Sequence, residues 1–117
     1  MAKIYTTGRW QPNPGKEVAF VEAWGRFAAW ASDMPGAGTL RLTRDVRDSG
    51  VFLSFGRWES IDAVRAWKSD PDFRERMAQV LQHVDEFDAT ELAVVATAAG
   101  EASVVASPAA DEPAPAM

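Results

Sequence analysis

"TLRLTRDVRDSGVFLSFGRWES", residues 39–60, holds two runs of β-branched, aliphatic and aromatic residues, Thr39–Val46 and Val51–Trp58, around Arg47-Asp48-Ser49-Gly50. Asp, Ser and Gly accept the backbone angles of tight turns, so the segment predicts an antiparallel hairpin. In its second arm Val51, Leu53 and Phe55 point to one face while Phe52 and Trp58 point to the other, because side chains alternate across a strand. Both faces are apolar. Just beyond, Ser60 is placed to cap a short helix, Ile61–Lys68, with Asp62 near its positive end.

Upstream of the hairpin, Lys3–Trp10 alternates β-branched and aromatic residues and closes at QPNPG, which predicts a first strand. Asn13 then reads as an N-cap with Pro14 at the first helical position. Phe20, Trp24, Phe27, Ala31 and Met34 recur at three and four, giving a long amphipathic helix that stops at MPGAG. Downstream, Ser69-Asp70-Pro71-Asp72 reads as a capping box that restarts the helix. Phe73, Met77, Val80, Leu81, Val84 and Phe87 form its stripe, and Thr90–Ala96 is the last strand. The order β-α-β-β-α-β predicts an α+β, ferredoxin-like sheet with the helices on one face. They leave the other face uncovered, yet strand three and Leu92-Ala93-Val94-Val95 carry apolar residues there. A homodimer through sheet faces is therefore expected.

The 117 residues, 47% hydrophobic, suit one domain over residues 1–96 followed by a flexible Ala/Pro-rich tail, residues 97–117, that holds Glu101, Asp111 and Glu112 but no Lys or Arg. No run approaches the roughly 20 apolar residues of a membrane span, and the start lacks a signal peptide's apolar stretch. A cytoplasmic protein without a membrane partner is expected. With no cysteine, thiolate metal sites, disulfides and cysteine nucleophiles are excluded. A net charge of −5 and a pI near 4.8 argue against nucleic acid as a partner. No metal-ligating cluster or phosphate-cradling loop is present, and Gly36-Ala37-Gly38 reads as a helix stop.

Five tryptophans are many for so small a core. Trp24 continues the first helix stripe, and Trp30 falls nearer its edge. Trp10, Trp58 and Trp67 end strands or sit on the short helix, where packing and a flat cleft for a planar ligand are both open readings. His83 is the one histidine, a solvent-edge residue or a base. Among the arginines of the hairpin and first strand, a guanidinium could hold a phenolate or carboxylate, against a plain role in solvation or ion pairs.

The signature FLSFGRWES, followed by a short helix and the SDPDF restart, resembles the antibiotic biosynthesis monooxygenase family of dimeric α+β barrels, over roughly Lys3 to Ala96. That family includes cofactor-free oxygenases of aromatic polyketides, quinol oxygenases and haem-degrading enzymes. The resemblance implies a pocket between sheet and helices. Trp58 matches the signature tryptophan, and Ser54 stands where some members have a catalytic asparagine. Trp67 and Asp72 stand where others carry histidines. Trp67 also resembles the pocket tryptophan of the haem-degrading branch, but Met77 replaces that branch's proximal histidine, and the strand-one asparagine is missing around Gly8. Haem is therefore disfavoured, and no cofactor is expected.

By this resemblance the chain is expected to be a cofactor-independent monooxygenase of a quinol, anthrone or phenol, using molecular oxygen. Ser54 would donate a hydrogen bond, Arg57 would stabilise the substrate anion, and His83 would serve as base. Trp58 and Trp67 would form the walls, with Trp10 and Trp24 completing the binding site. The alternative from another class is a non-catalytic binding protein for a hydrophobic planar ligand or haem. A third is a dimerisation module with no ligand-sized pocket.

Overall fold

The computed structural model describes residues 3–98. Seven elements follow in chain order: β1 (Ile4–Pro12), α1 (Glu17–Ala31), β2 (Ala37–Arg44), β3 (Phe52–Trp58), α2 (Ile61–Lys68), α3 (Phe73–Leu81) and β4 (Val84–Ala93). The strands form one antiparallel sheet in the order β2-β3-β1-β4, with the three helices against one face. This is the ferredoxin-like α+β arrangement expected from the element order.

The core lies between sheet and helices. Alternation sends Phe52 and Trp58 of β3 and Trp10 of β1 inward, to meet Phe20, Trp24 and Phe27 of α1, Val64 and Trp67 of α2, and Val80 of α3. Burial of side chains such as Phe20, Trp58 and Val64, all at 0% exposure, is worth about 1.5–3 kcal/mol for a residue of Val to Phe size. On α1 the buried set Phe20, Ala23, Trp24, Phe27, Ala28 and Ala31 keeps the three-and-four spacing of one helical face.

Several boundaries differ from the sequence reading. Asn13 does not cap α1. Its carbonyl accepts from Lys16 N–H at 2.9 Å across a Pro14-Gly15 turn, and Gly15 takes φ +84°, which a side chain would resist. The hairpin turn is longer than two residues: Asp45 Oδ1 accepts from the Arg47 and Asp48 amides, and Asp45 N–H bonds to the Val51 carbonyl. Ser60 caps α2 as expected, accepting from Ala63 N–H at 3.1 Å. At α3 Ser69 instead closes α2, and the Asp70 carboxylate takes the Asp72 amide. Val84 and Phe87 belong to β4 rather than to the helix. Their spacing continues the helical stripe, but β1 runs on through Gln11 and Pro12 to pair with Glu86 and Val84, and Asn13 N–H bonds to the His83 carbonyl at 2.9 Å. Sheet pairing overrides local periodicity here. Residues 94–98 lie beyond the strand, and the rest of the expected tail lies outside the described residues.

The opposite sheet face carries Tyr5, Thr7 and Arg9 of β1, Leu53, Phe55 and Arg57 of β3, Arg41 and Thr43 of β2, and Asp88, Thr90 and Leu92 of β4. Phe55 and Leu92 are 40% and 47% exposed on it.

Candidate active site

The register arranges the helix-facing side chains in rows that cross the sheet. One outer row reads Arg44, Phe52, Trp10, Phe87, and the other reads Ala37, Trp58, Ile4, Ala93. Between them run two rows of mostly smaller residues at the centre of the sheet: Leu42, Ser54, Gly8, Ala89 and Leu40, Gly56, Thr6, Glu91. The sheet thus has a trough between two walls that carry large aromatic rings. Trp24 and Phe27 from α1, Trp67 and Lys68 from α2, and Phe73 and Met77 from α3 line its helix side, leaving a cavity of about 240 Å³.

The glycines keep this trough open. A Cβ at Gly8 would come within 2.7 Å of Trp10 Nε1, 2.9 Å of Ser54 Oγ and 3.0 Å of Phe87 Cε1. One at Gly56 would lie 2.9 Å from Thr6 Oγ1. Trp10 is stacked on Phe87, with ring centroids 4.1 Å apart and planes at 26°, which fixes the end wall.

Few polar atoms face so apolar a space. Trp10 Nε1 donates to Ser54 Oγ at 2.9 Å, which takes one of the buried serine's two lone pairs and leaves its own hydrogen to donate. Trp67, itself 5% exposed, lines the cavity, and its buried Nε1 has no hydrogen-bond partner. A buried donor left in that state costs about 1–3 kcal/mol. At the edge, Lys68 Nζ donates to Glu91 Oε2 at 2.7 Å. No group of three or more His, Cys, Asp or Glu that could hold a metal ion occurs among the described residues.

Of the residues singled out in the sequence, Ser54, Trp10, Trp24 and Trp67 come together on this cavity. Trp58 lies behind Trp67, stacked on it at 4.6 Å and 25°, with its Nε1 donating to Thr6 Oγ1 at 3.1 Å. It is fully buried and does not line the cavity. Arg57 pairs with Tyr5 on the opposite sheet face, because it is odd in a strand whose even members point to the helices. His83 sits in the α3–β4 connection and does not line the cavity either. Met77, read as core, both packs on the core and lines the cavity. Gly8, Gly56, Thr6, Lys68 and Phe87 went unnoticed as site residues. For Thr6, Gly8 and Gly56 the sequence carries a signal, a large-small-small-large pattern at every second position, Ile4-Thr6-Gly8-Trp10 and Phe52-Ser54-Gly56-Trp58.

A family model for antibiotic biosynthesis monooxygenase matches residues 4–79. No curated protein matches the chain. Among solved structures, SnoaB from Streptomyces nogalater, a cofactor-independent oxygenase, is 18% identical with a TM-score of 0.76, over 83% of this chain and 97% of that one. Rv0793 from Mycobacterium tuberculosis is 19% identical with a TM-score of 0.71, over 83% and 99%. A conserved protein from Methanosarcina mazei Go1 is 13% identical with a TM-score of 0.71, over 79% and 92%. At these identities the likeness is one of fold.

Proposed function

Since the chain belongs to the antibiotic biosynthesis monooxygenase family, we propose that it is a cofactor-independent monooxygenase that oxidises a quinol, anthrone or phenol with molecular oxygen. The observation that carries this reading is the trough: an apolar cavity lined by aromatic rings, with the Ser54 hydroxyl as donor. Such a site holds a planar ring, excludes water and offers hydrogen bonds to oxygen atoms that gain charge. In the anthrone case the substrate anion gives up electrons to dioxygen, a carbon–oxygen bond forms at the reacting CH₂, and loss of water leaves a carbonyl. One oxygen atom enters the product and the other leaves as water, so the substrate itself is the reductant.

In this reading Trp24 and Trp67 clasp the ring, Trp10 holds Ser54 in place, and Trp58 supports Trp67 from behind. Arg57 and His83, being off the cavity, act elsewhere. Arg57 joins Tyr5, Leu53, Phe55 and Leu92 on the sheet face that we propose is covered by a second copy of the chain. A monodisperse monomer at micromolar concentration in light scattering would refute that pairing. We place the protein in the cytoplasm. No described helix is long and apolar enough to cross a membrane.

The test is oxygen uptake by purified protein with a panel of anthrones and quinols, against a heat-denatured control. Uptake with stoichiometric quinone formation is the expected result. Binding of these compounds without uptake would support the second reading, a binding protein for a planar ligand. That reading draws on one observation, that no Asp, Glu or His among the described residues lines the cavity to serve as a base.

A further inference from the structure

Lys68, the last residue of α2, is the one ionisable side chain among the described residues that line the cavity. Its partner Glu91, on β4, does not line the cavity, and the two side chains are 33% and 38% exposed. Lys68 is thus the member of the pair that lines the cavity, and Glu91 is the member that does not. An ammonium carries three N–H donors, and Glu91 takes one of them. Together with Phe73 and Met77, Lys68 also lines an outer groove of about 560 Å³ along α3. These three side chains separate groove from cavity, which puts Lys68 at the mouth.

Ser54 lies away from this mouth. It faces Gly8 from β3, whereas Glu91 faces Thr6 from β4. Two strand spacings across the sheet and two residues along it separate their backbones, about 12 Å at ~4.8 Å per strand and ~3.3 Å per residue. A fused-ring ligand can engage both ends at once, with an oxygen at each.

We infer that Lys68 holds the ionised oxygen of a fused-ring hydroxyarene at the cavity mouth, with the far end of the ring system directed to Ser54. This rests on the aromatic-ligand reading above and adds a charge-bearing anchor to it. The reason is the sign of the two effects on a bound hydroxyl. Apolar walls alone disfavour the anion and raise the hydroxyl's pKa, whereas a cation within about 4–6 Å lowers it by roughly 1–3 units. Where the site has no carboxylate or imidazole to take the proton, lowering the ligand's own pKa lets it ionise to water near neutral pH. Glu91 is a positioning residue, holding the ammonium at the mouth rather than in solvent.

The experiment is an anaerobic pH titration of 2-naphthol bound to the full-length protein, followed by naphtholate absorbance, so that no oxidation intervenes. The expected midpoint is at least about one pH unit below that of free 2-naphthol in the wild type and in Lys68→Arg. In Lys68→Gln it should lie at or above the free value. Equal midpoints in wild type and Lys68→Gln, or no binding of 2-naphthol by the wild type, would overturn the inference. Lys68→Arg preserves the charge, so it separates loss of the cation from loss of the fold. A lowered midpoint without oxygen uptake in the anthrone and quinol assay would sink the oxygenase reading and leave the role of Lys68 standing. Uptake with an unshifted midpoint would do the reverse.

Discussion

Two tryptophans of this core are buried among aromatic rings to a similar degree and differ in the state of the indole N–H. Trp10 and Trp67 are 2% and 5% exposed, and each is stacked on one ring, Phe87 at 4.1 Å and Trp58 at 4.6 Å. Trp10 also meets Phe20 at an angle at 5.4 Å, and Trp67 meets Phe73 at 5.1 Å and Phe27 at 5.8 Å. Replacing either by phenylalanine removes a similar volume from a similar environment, so the packing loss is common to both. Trp10→Phe also loses the bond to Ser54, worth about 0.5–1.5 kcal/mol net. Trp67→Phe instead removes a buried donor without a partner, recovering about 1–3 kcal/mol. Trp10→Phe should therefore be less stable than Trp67→Phe by about 1.5–4.5 kcal/mol, read by equilibrium urea denaturation with a shared slope. For a domain of this size that is a difference on the order of 10 °C or more in midpoint. A difference under about 0.5 kcal/mol, or one of opposite sign, would show that the Trp67 N–H carries no such penalty and would refute this reasoning.

Gly8→Ala should destabilise by about 1–3 kcal/mol and abolish ligand binding, since the added methyl must displace Trp10 or Ser54. Gly25→Ala on α1 meets nothing within 4 Å and should stabilise by about 0.5–1 kcal/mol, and the same denaturation series checks both. Trp58→Ala should cost about 3–5 kcal/mol as a core truncation. Trp58→Phe keeps a ring against Trp67, so its turnover with an anthrone should stay within a few-fold of wild type, and a loss on the order of 100-fold would put Trp58 in the chemistry. His83→Gln should change turnover by less than about threefold, against the ~100-fold expected on removal of a general base.

The fold was legible because its signals are local and agree with one another: alternation in the hairpin, the three-and-four spacing of α1, and Ser60 ahead of α2. Boundaries failed where a distant strand outbid a local pattern. Val84 and Phe87 continue a helical stripe in sequence, and the pairing of β4 with the extension of β1 is invisible until the sheet is assembled. Asn-Pro suits both a turn and a helix start, and the positive φ of Gly15 is what makes Asn13–Lys16 a turn. Site residues divided in the same way. Trp10, Trp24, Trp67 and Ser54 point inward by alternation or helical phase. Arg57 is carried to the other face by the same alternation, one position from the inward Trp58. Lys68 gave no signal of its own, since its place at the mouth depends on Glu91, 23 residues later.

The trough argues for a ligand independently of any family. A sheet built for stability alone would place β-branched residues at central inward positions, where each glycine gives up about 0.5–1 kcal/mol relative to alanine. Here two inward positions next to one another, Gly8 and Gly56, lack a side chain, and a third core residue, Trp67, buries a donor with no partner. Together these features forgo about 2–5 kcal/mol, a sizeable part of the ~5–15 kcal/mol by which a domain is stable. They also converge on one volume, with both glycines on its floor and Trp67 in its roof. A pure dimerisation module has no use for that loss, because its contact surface is the opposite face of the sheet. A ligand filling that space would offset the part of the cost that the two glycines carry, because it would supply the packing contacts their missing side chains forgo.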